Sequence, residues 1–148
     1  MHYRPLVEAD IAAISRVHRR ACLIAYRFRN WSYSERAIQD WYAEKFREWD
    51  WGLVAEDGGV VGFIAASGAH IDQLFVDPDR QATGIGTALL RAALAQMPPS
   101  VTLHVFEANM PARRFYERHG FREIGRLPNV QDGAVELVYG RDASLQAA

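Results

Sequence analysis

Cysteine is almost absent: the 148-residue chain holds one, Cys22. A lone thiol excludes an intramolecular disulfide and a multi-cysteine metal site, and it fits a reducing compartment such as the cytoplasm. Lysine is as scarce. Of 17 basic residues only Lys45 is lysine, which reads as genome composition rather than chemistry. No apolar run nears the ~20 residues that a membrane-spanning helix needs. The opening Met1-His2-Tyr3-Arg4-Pro5 has a charge but no apolar stretch after it, so it does not read as a signal peptide. A formal net charge of −1 gives no excess of one sign and weakens any case for bulk nucleic-acid binding. Internal repeats, low-complexity tracts and linkers are missing as well.

What is there is ordinary for a folded chain. Hydrophobic residues make up 49% and charged residues 24%, which argues against disorder or a collagenous repeat. The length suits one domain over residues 1–148, burying roughly two-thirds of its unfolded surface. Residues 143–148 read as a loose tail.

Periodicity divides the chain. His2 to Leu6 reads as a short strand stopped by Pro5. Ile11, Ile14, Val17, Ala21 and Ile24 then recur at helical spacing, with Cys22 on the same stripe as a small buried hydrophobe. Ile38, Trp41, Tyr42, Phe46 and Trp49 mark a second helix. Two apolar runs around Asp57-Gly58-Gly59 signal a hairpin. A strand from His70 to Val76 ends at Asp77-Pro78 and leads through glycines into a helix over residues 86–97. Val101 to Phe106 is a strand. Asn109 and Gly120 bracket a short helix, and two strands finish the chain. The order β-α-α-β-β-β-α-β-α-β-β predicts an α/β, or α+β, mixed sheet with helices on both faces.

The strongest site is Gln81-Ala82-Thr83-Gly84-Ile85-Gly86-Thr87. It follows a strand and opens a helix, so backbone N–H groups and the helix dipole make an anion site that needs no lysine. A Walker A loop requires a lysine after its second glycine, and none is present. A dinucleotide fingerprint requires glycine or alanine where Leu89 stands. A Gln/Arg-x-x-Gly-x-Gly loop matches in full.

With Gln73-Leu74-Phe75-Val76-Asp77-Pro78 before that loop, and Asn109 to Ala112, Phe115-Tyr116-Glu117 and His119-Gly120-Phe121 after it, the chain resembles the GNAT-superfamily N-acetyltransferases. The resemblance runs from about Tyr3 to Tyr139. It implies a GNAT-like acyl-CoA N-acyltransferase fold and direct transfer of acetyl from acetyl-CoA to a primary amine, without metal. It implies that Gln81, Ala82, Thr83, Gly84, Ile85, Gly86 and the Thr87 hydroxyl hold the CoA pyrophosphate. The pantetheine arm would pair with the backbone of Leu74, Phe75 and Val76, and the Leu74 N–H would face the thioester carbonyl. A fixed donor there stabilises the tetrahedral intermediate. Asn109 would cap its helix, contact CoA, or do both.

Aminolysis of a thioester needs a neutral amine and a protonated leaving group. Tyr116 stands at the position of the family's general acid; the plainer reading is a packed aromatic beside Phe115. His70 and Asp72 share strand parity with Leu74 and Val76 and match the positions where relatives carry catalytic histidines or a glutamate. His70 has the right unperturbed pKa for a base. Asp72 would attract the cationic substrate or orient His70, and both could instead be polar strand-end residues. His104 and Glu107 are weaker candidates. His2, His18 and His119 lack metal-ligand spacing. Trp31, Tyr33 and Glu35 are candidates for an aromatic and acidic acceptor pocket, or for a packed loop. A homodimer is compatible with this reading, and a non-catalytic acyl-CoA sensor is the alternative that keeps the loop without turnover.

Overall fold

In the computed structural model residues 1–26, 33–128 and 134–145 are described. Among them seven strands and four α-helices follow the expected order. They are β1 (His2–Pro5), α1 (Ile11–Ala25), α2 (Glu35–Lys45), β2 (Trp51–Glu56), β3 (Val60–Ser67) and β4 (His70–Val76), then α3 (Ile85–Gln96), β5 (Ser100–Phe106), α4 (Met110–Arg118), β6 (Arg122–Pro128) and β7 (Val135–Asp142). Short 3-10 turns at Glu8–Asp10, Phe46–Glu48, Pro78–Arg80 and Ala143–Leu145 have no counterpart in the sequence reading. The chain forms two compact units. One is Met1–Ser67 with Asp72–Gln96; the other is Gly68–Ile71 with Met97–Ala148. β4 therefore begins in the second unit and ends in the first.

In the first unit β1 pairs antiparallel with β2, and β2 with β3. Residues 61–66 of β3 are buried without interruption rather than alternately, because helices cover both faces. Phe63 and Val54 pack with Ile14, Val17, Ile38 and Tyr42 from α1 and α2. Gly62 points the other way. A Cβ there would lie 3.2 Å from Ile85, 3.3 Å from Leu89 and 3.3 Å from the Phe75 carbonyl, so only glycine lets α3 settle this close. Arg4 donates to both oxygens of the buried Asp10, at 2.9 and 2.8 Å, and to Glu56 at 3.1 Å. That guanidinium holds the Asp10 carboxyl below its usual range.

Two positions on the expected apolar stripes face outward. Ile24 is 50% exposed and Trp41 is 43% exposed. Cys22 is buried, as expected.

In the second unit the first residues of β4 lie parallel to β5, with His70 opposite Thr102 and Ile71 opposite Leu103. β5 pairs antiparallel with β7, and β7 with β6. The Tyr139 hydroxyl, on a fully buried ring, donates to Glu117 at 2.6 Å and accepts from Arg113 Nε at 3.0 Å. Arg113 also donates to the Glu107 carbonyl at 2.9 Å. These bonds pin α4 to β7. The expected tail from residue 143 is shorter than read. β7 continues to Asp142, whose carboxylate accepts from the Ser144 N–H, and the Ala143 N–H donates to the Pro99 carbonyl. Residues 146–148 lie outside the described residues.

Candidate active site

The anion loop is built within the first unit. Asp77 caps the Pro78–Arg80 turn by accepting from the Asp79 N–H at 2.9 Å. Arg20 on α1 pairs with Asp79 at 2.8 Å and Asp77 at 3.4 Å. Arg80 reaches Asp57 in the β2–β3 turn at 2.7 Å. Inside the loop the Thr83 hydroxyl donates to the Arg80 carbonyl, and the Gln81 side chain donates to the Val76 carbonyl at 3.3 Å. Both side chains thus brace the loop, which leaves the backbone to meet a ligand. Residues 81–84 are exposed, and Ile85 buries its side chain beneath them. Gly84 sits at φ +89° and immediately precedes α3, whose first turn presents N–H donors with no partner inside the helix.

Ala82 has φ +62°. A side chain in that left-handed region costs about 1–2 kcal/mol. Ala82→Gly is expected to raise stability in urea by roughly 0.5–1 kcal/mol, since glycine's extra unfolded-state freedom offsets part of the relief. Equal or lower stability in the variant would mean that the strain is not there.

The β4 candidates each hold a different partner. In the first unit Asp72 accepts from Trp49 Nε1 at 2.8 Å, and Lys45 Nζ lies 3.9 Å from the same oxygen. Its neighbour Gln73 meets the Tyr42 hydroxyl at 3.5 Å. Two consecutive residues thus reach α2 and the turn after it, so the simple alternation expected for His70, Asp72, Leu74 and Val76 does not describe this strand. His70, in the second unit, places Nδ1 2.8 Å from the Thr102 hydroxyl. The His104 ring meets it edge-on at 4.9 Å.

α4 carries the other candidates. Asn109 caps it by accepting from the Ala112 N–H at 3.3 Å. Tyr116 is half-buried, edge-on to Phe115 at 5.3 Å and to Phe121 at 5.7 Å. Burial pushes its phenol above the ordinary range, so it keeps its proton at neutral pH. Among the described residues no side chain hydrogen-bonds its hydroxyl. Glu107 pairs with Arg126 at 2.6 Å.

The acceptor candidates fare unequally. Glu35 pairs with Arg16 at 3.7 Å, and Tyr33 is exposed with its carbonyl accepting from Arg19. Trp31 lies outside the described residues. Two features escape the sequence reading. One is Lys45 beside Asp72. The other is His18, whose Nδ1 is 2.5 Å from the Tyr42 hydroxyl and whose ring lies 4.5 Å from that of Phe75. Burial brings His18 down to about 4. Helical spacing could have paired α1 and α2, but nothing local marks a contact 24 residues apart. Among the described residues no group of three or more potential ligands could hold a metal ion, and no helix is long and apolar enough to cross a membrane.

Residues 19–121 match the acetyltransferase (GNAT) family. The chain belongs to that family. The matched span takes in the glycine loop, both β4 candidates and Tyr116. The peptidyl-lysine N-acetyltransferase YjaB of Escherichia coli K12 is 43% identical over 76 residues, 51% of each chain. YiaC of the same organism, also named a peptidyl-lysine N-acetyltransferase, is 34% identical over 88 residues, 59% of this chain and 58% of YiaC. The GNAT chain thus spans about half the length of the curated relatives it matches. Its fold is that of the solution structure of apo YjaB, with TM-score 0.78, 26% identity and coverage of 94% and 95%. The PaiA N-acetyltransferase of Thermoplasma acidophilum, solved with coenzyme A, shares the fold at TM-score 0.69 and 21% identity over 95% and 98% of the two chains.

Proposed function

We propose that this GNAT protein transfers the acetyl group of acetyl-CoA directly to a primary amine, and that the amine is the side chain of a lysine in a peptide or protein. The loop from Gln81 to Gly86 carries the reading: a helix N-terminus preceded by two residues at positive φ and braced by its own side chains suits a pyrophosphate. The relatives named above support the lysine acceptor, and they weigh against a non-catalytic sensor. A lone buried thiol suits work in the cytoplasm.

The chemistry follows from the residues. The Leu74 N–H stabilises negative charge on the thioester oxygen. His70, or Asp72, takes a proton from the incoming ammonium, because an amine near pKa 10 arrives charged. The N–C bond forms, the nitrogen gives up its second proton to solvent, the C–S bond breaks, and Tyr116 gives its proton to the departing thiolate and is reprotonated from solvent. Asn109 holds the start of α4 and contacts CoA.

Acetyl-CoA and CoA should raise the melting temperature, by about 2.7 kcal/mol of added stability at 100 times the dissociation constant, whereas ATP and NAD should not. Gly84→Val meets no neighbour within 4 Å, but it puts a β-branched side chain at φ +89°, which strains the loop by about 1–2 kcal/mol as well as blocking backbone approach to the ligand, so the CoA shift should shrink or vanish. A shift with ATP or NAD and none with CoA overturns the reading. A thiol-release assay with lysine peptides, N-terminal amines and small amines then tests the acceptor.

A further inference from the structure

Lys45 has no part in the roles assigned above, yet its ammonium lies against Asp72, one of the two candidate bases. Its Nζ is 3.9 Å from Asp72 Oδ2 and 3.3 Å from Glu48 Oε2. It also lies 5.3 Å from the centre of the Trp41 ring. Two carboxylates and an aromatic face form a receptor for a cationic amine, and the chain's only lysine occupies it. The side chain is 31% exposed, so the head group is not sealed away. Asp72 stands two residues before Leu74, about 6–7 Å along a strand, a distance that lysine's flexible four-carbon stem can cross.

We propose that Lys45 is an acetyl acceptor in cis, a modification site that the protein fills itself. The inference rests on the acetyltransferase reading above. The Lys45 ammonium releases one proton through Asp72 to solvent, and the neutral Nζ attacks the thioester carbon. An N–C bond forms, the C–S bond breaks, the thiolate gains a proton from Tyr116, and the second proton leaving the nitrogen restores the phenol by way of solvent. The products are one amide, one thiol and one free proton. The amide carries no charge, so the pairs with Asp72 and Glu48 and the contact with Trp41 are lost. Among the described residues Asp72 then keeps the bond from Trp49 and is open to an incoming ammonium.

The test uses the full chain with acetyl-CoA and no acceptor, followed by intact mass and peptide mapping. One acetyl group is expected at Lys45, with a half-time unchanged on dilution of the protein, and Lys45→Arg should lose that mass gain. Tyr116→Phe should slow the modification by the same factor as turnover of a lysine peptide. The proposal fails if a lysine peptide is turned over while Lys45 stays unmodified. It also fails if Lys45 reacts as fast in Tyr116→Phe or in the urea-unfolded chain, which marks plain solution chemistry, or if the half-time lengthens on dilution, which marks transfer between copies. If CoA stabilises the protein but neither Lys45 nor any amine is acetylated, the acetyltransferase reading itself falls.

Discussion

Tyr116→Phe is expected to lower kcat by roughly 10- to 10,000-fold, a generous bracket around the usual worth of a positioned proton donor, while CoA binds nearly as before. The substitution removes only a hydroxyl. The ring contacts with Phe115 and Phe121 survive it, and no side-chain hydrogen bond among the described residues is broken. Because burial holds the phenol above its ordinary range, wild-type Tyr116 stays protonated across the working pH range and its loss is not a titration effect. Raising the pH should therefore rescue nothing. His70→Ala should behave differently. If His70 is the base, the deficit shrinks toward the acceptor's own pKa, where free amine is already present. A pH–rate profile from about pH 6 to 10 on wild type and both variants separates the roles. Wild-type turnover by Tyr116→Phe would reduce the tyrosine to packing; an unaffected His70→Ala beside a crippled Asp72→Asn would give the base role to the carboxylate.

Acidification should destabilise the protein in a window set by His18. Its folded pKa is about 4 against an ordinary 6.5. Above pH 6.5 the ring is neutral in both states and contributes no pH dependence. Between 6.5 and 4 the unfolded chain binds a proton that the folded chain refuses, so stability falls as pH falls. The full loss is roughly 3 kcal/mol, reached below about pH 4. Asp10 acts later. Its folded pKa is depressed, so the stability it contributes is present above about pH 4 and is lost below it. Urea unfolding at pH 7.5, 5.5 and 4.5 should show the His18 window in wild type and a flatter line in His18→Gln. Parallel lines would mean that the imidazole is not buried neutral.

Local signals account for most of what the sequence revealed. The helical spacing of Ile11, Ile14 and Val17, the Asp57-Gly58-Gly59 turn and the cap at Asn109 each depend on residues a few positions apart, and each stands where the pattern put it. The glycine loop was legible for the same reason. Contacts between distant segments were not. Nothing near Asp72 in sequence announces Trp49 and Lys45, and nothing near His18 announces Tyr42. Strict alternation along β4 gave way because Asp72 and Gln73 both found partners in and just after α2. Trp41 and Ile24 met the helical period yet face outward, since a periodic stripe is wider than the surface available to cover it.

The loop is anchored by guanidinium groups, Arg20 on Asp77 and Asp79 and Arg80 on Asp57. A guanidinium stays protonated at any pH the protein meets and offers no neutral nitrogen to a thioester. Lysines in the same places would deprotonate now and then and be acylated, shedding the charges that hold the loop. Arginine makes the scaffold chemically inert toward the thioester that the proposed function assigns to it, and the same inertness should let the protein stand in concentrated acetyl-CoA with its loop anchors unaltered.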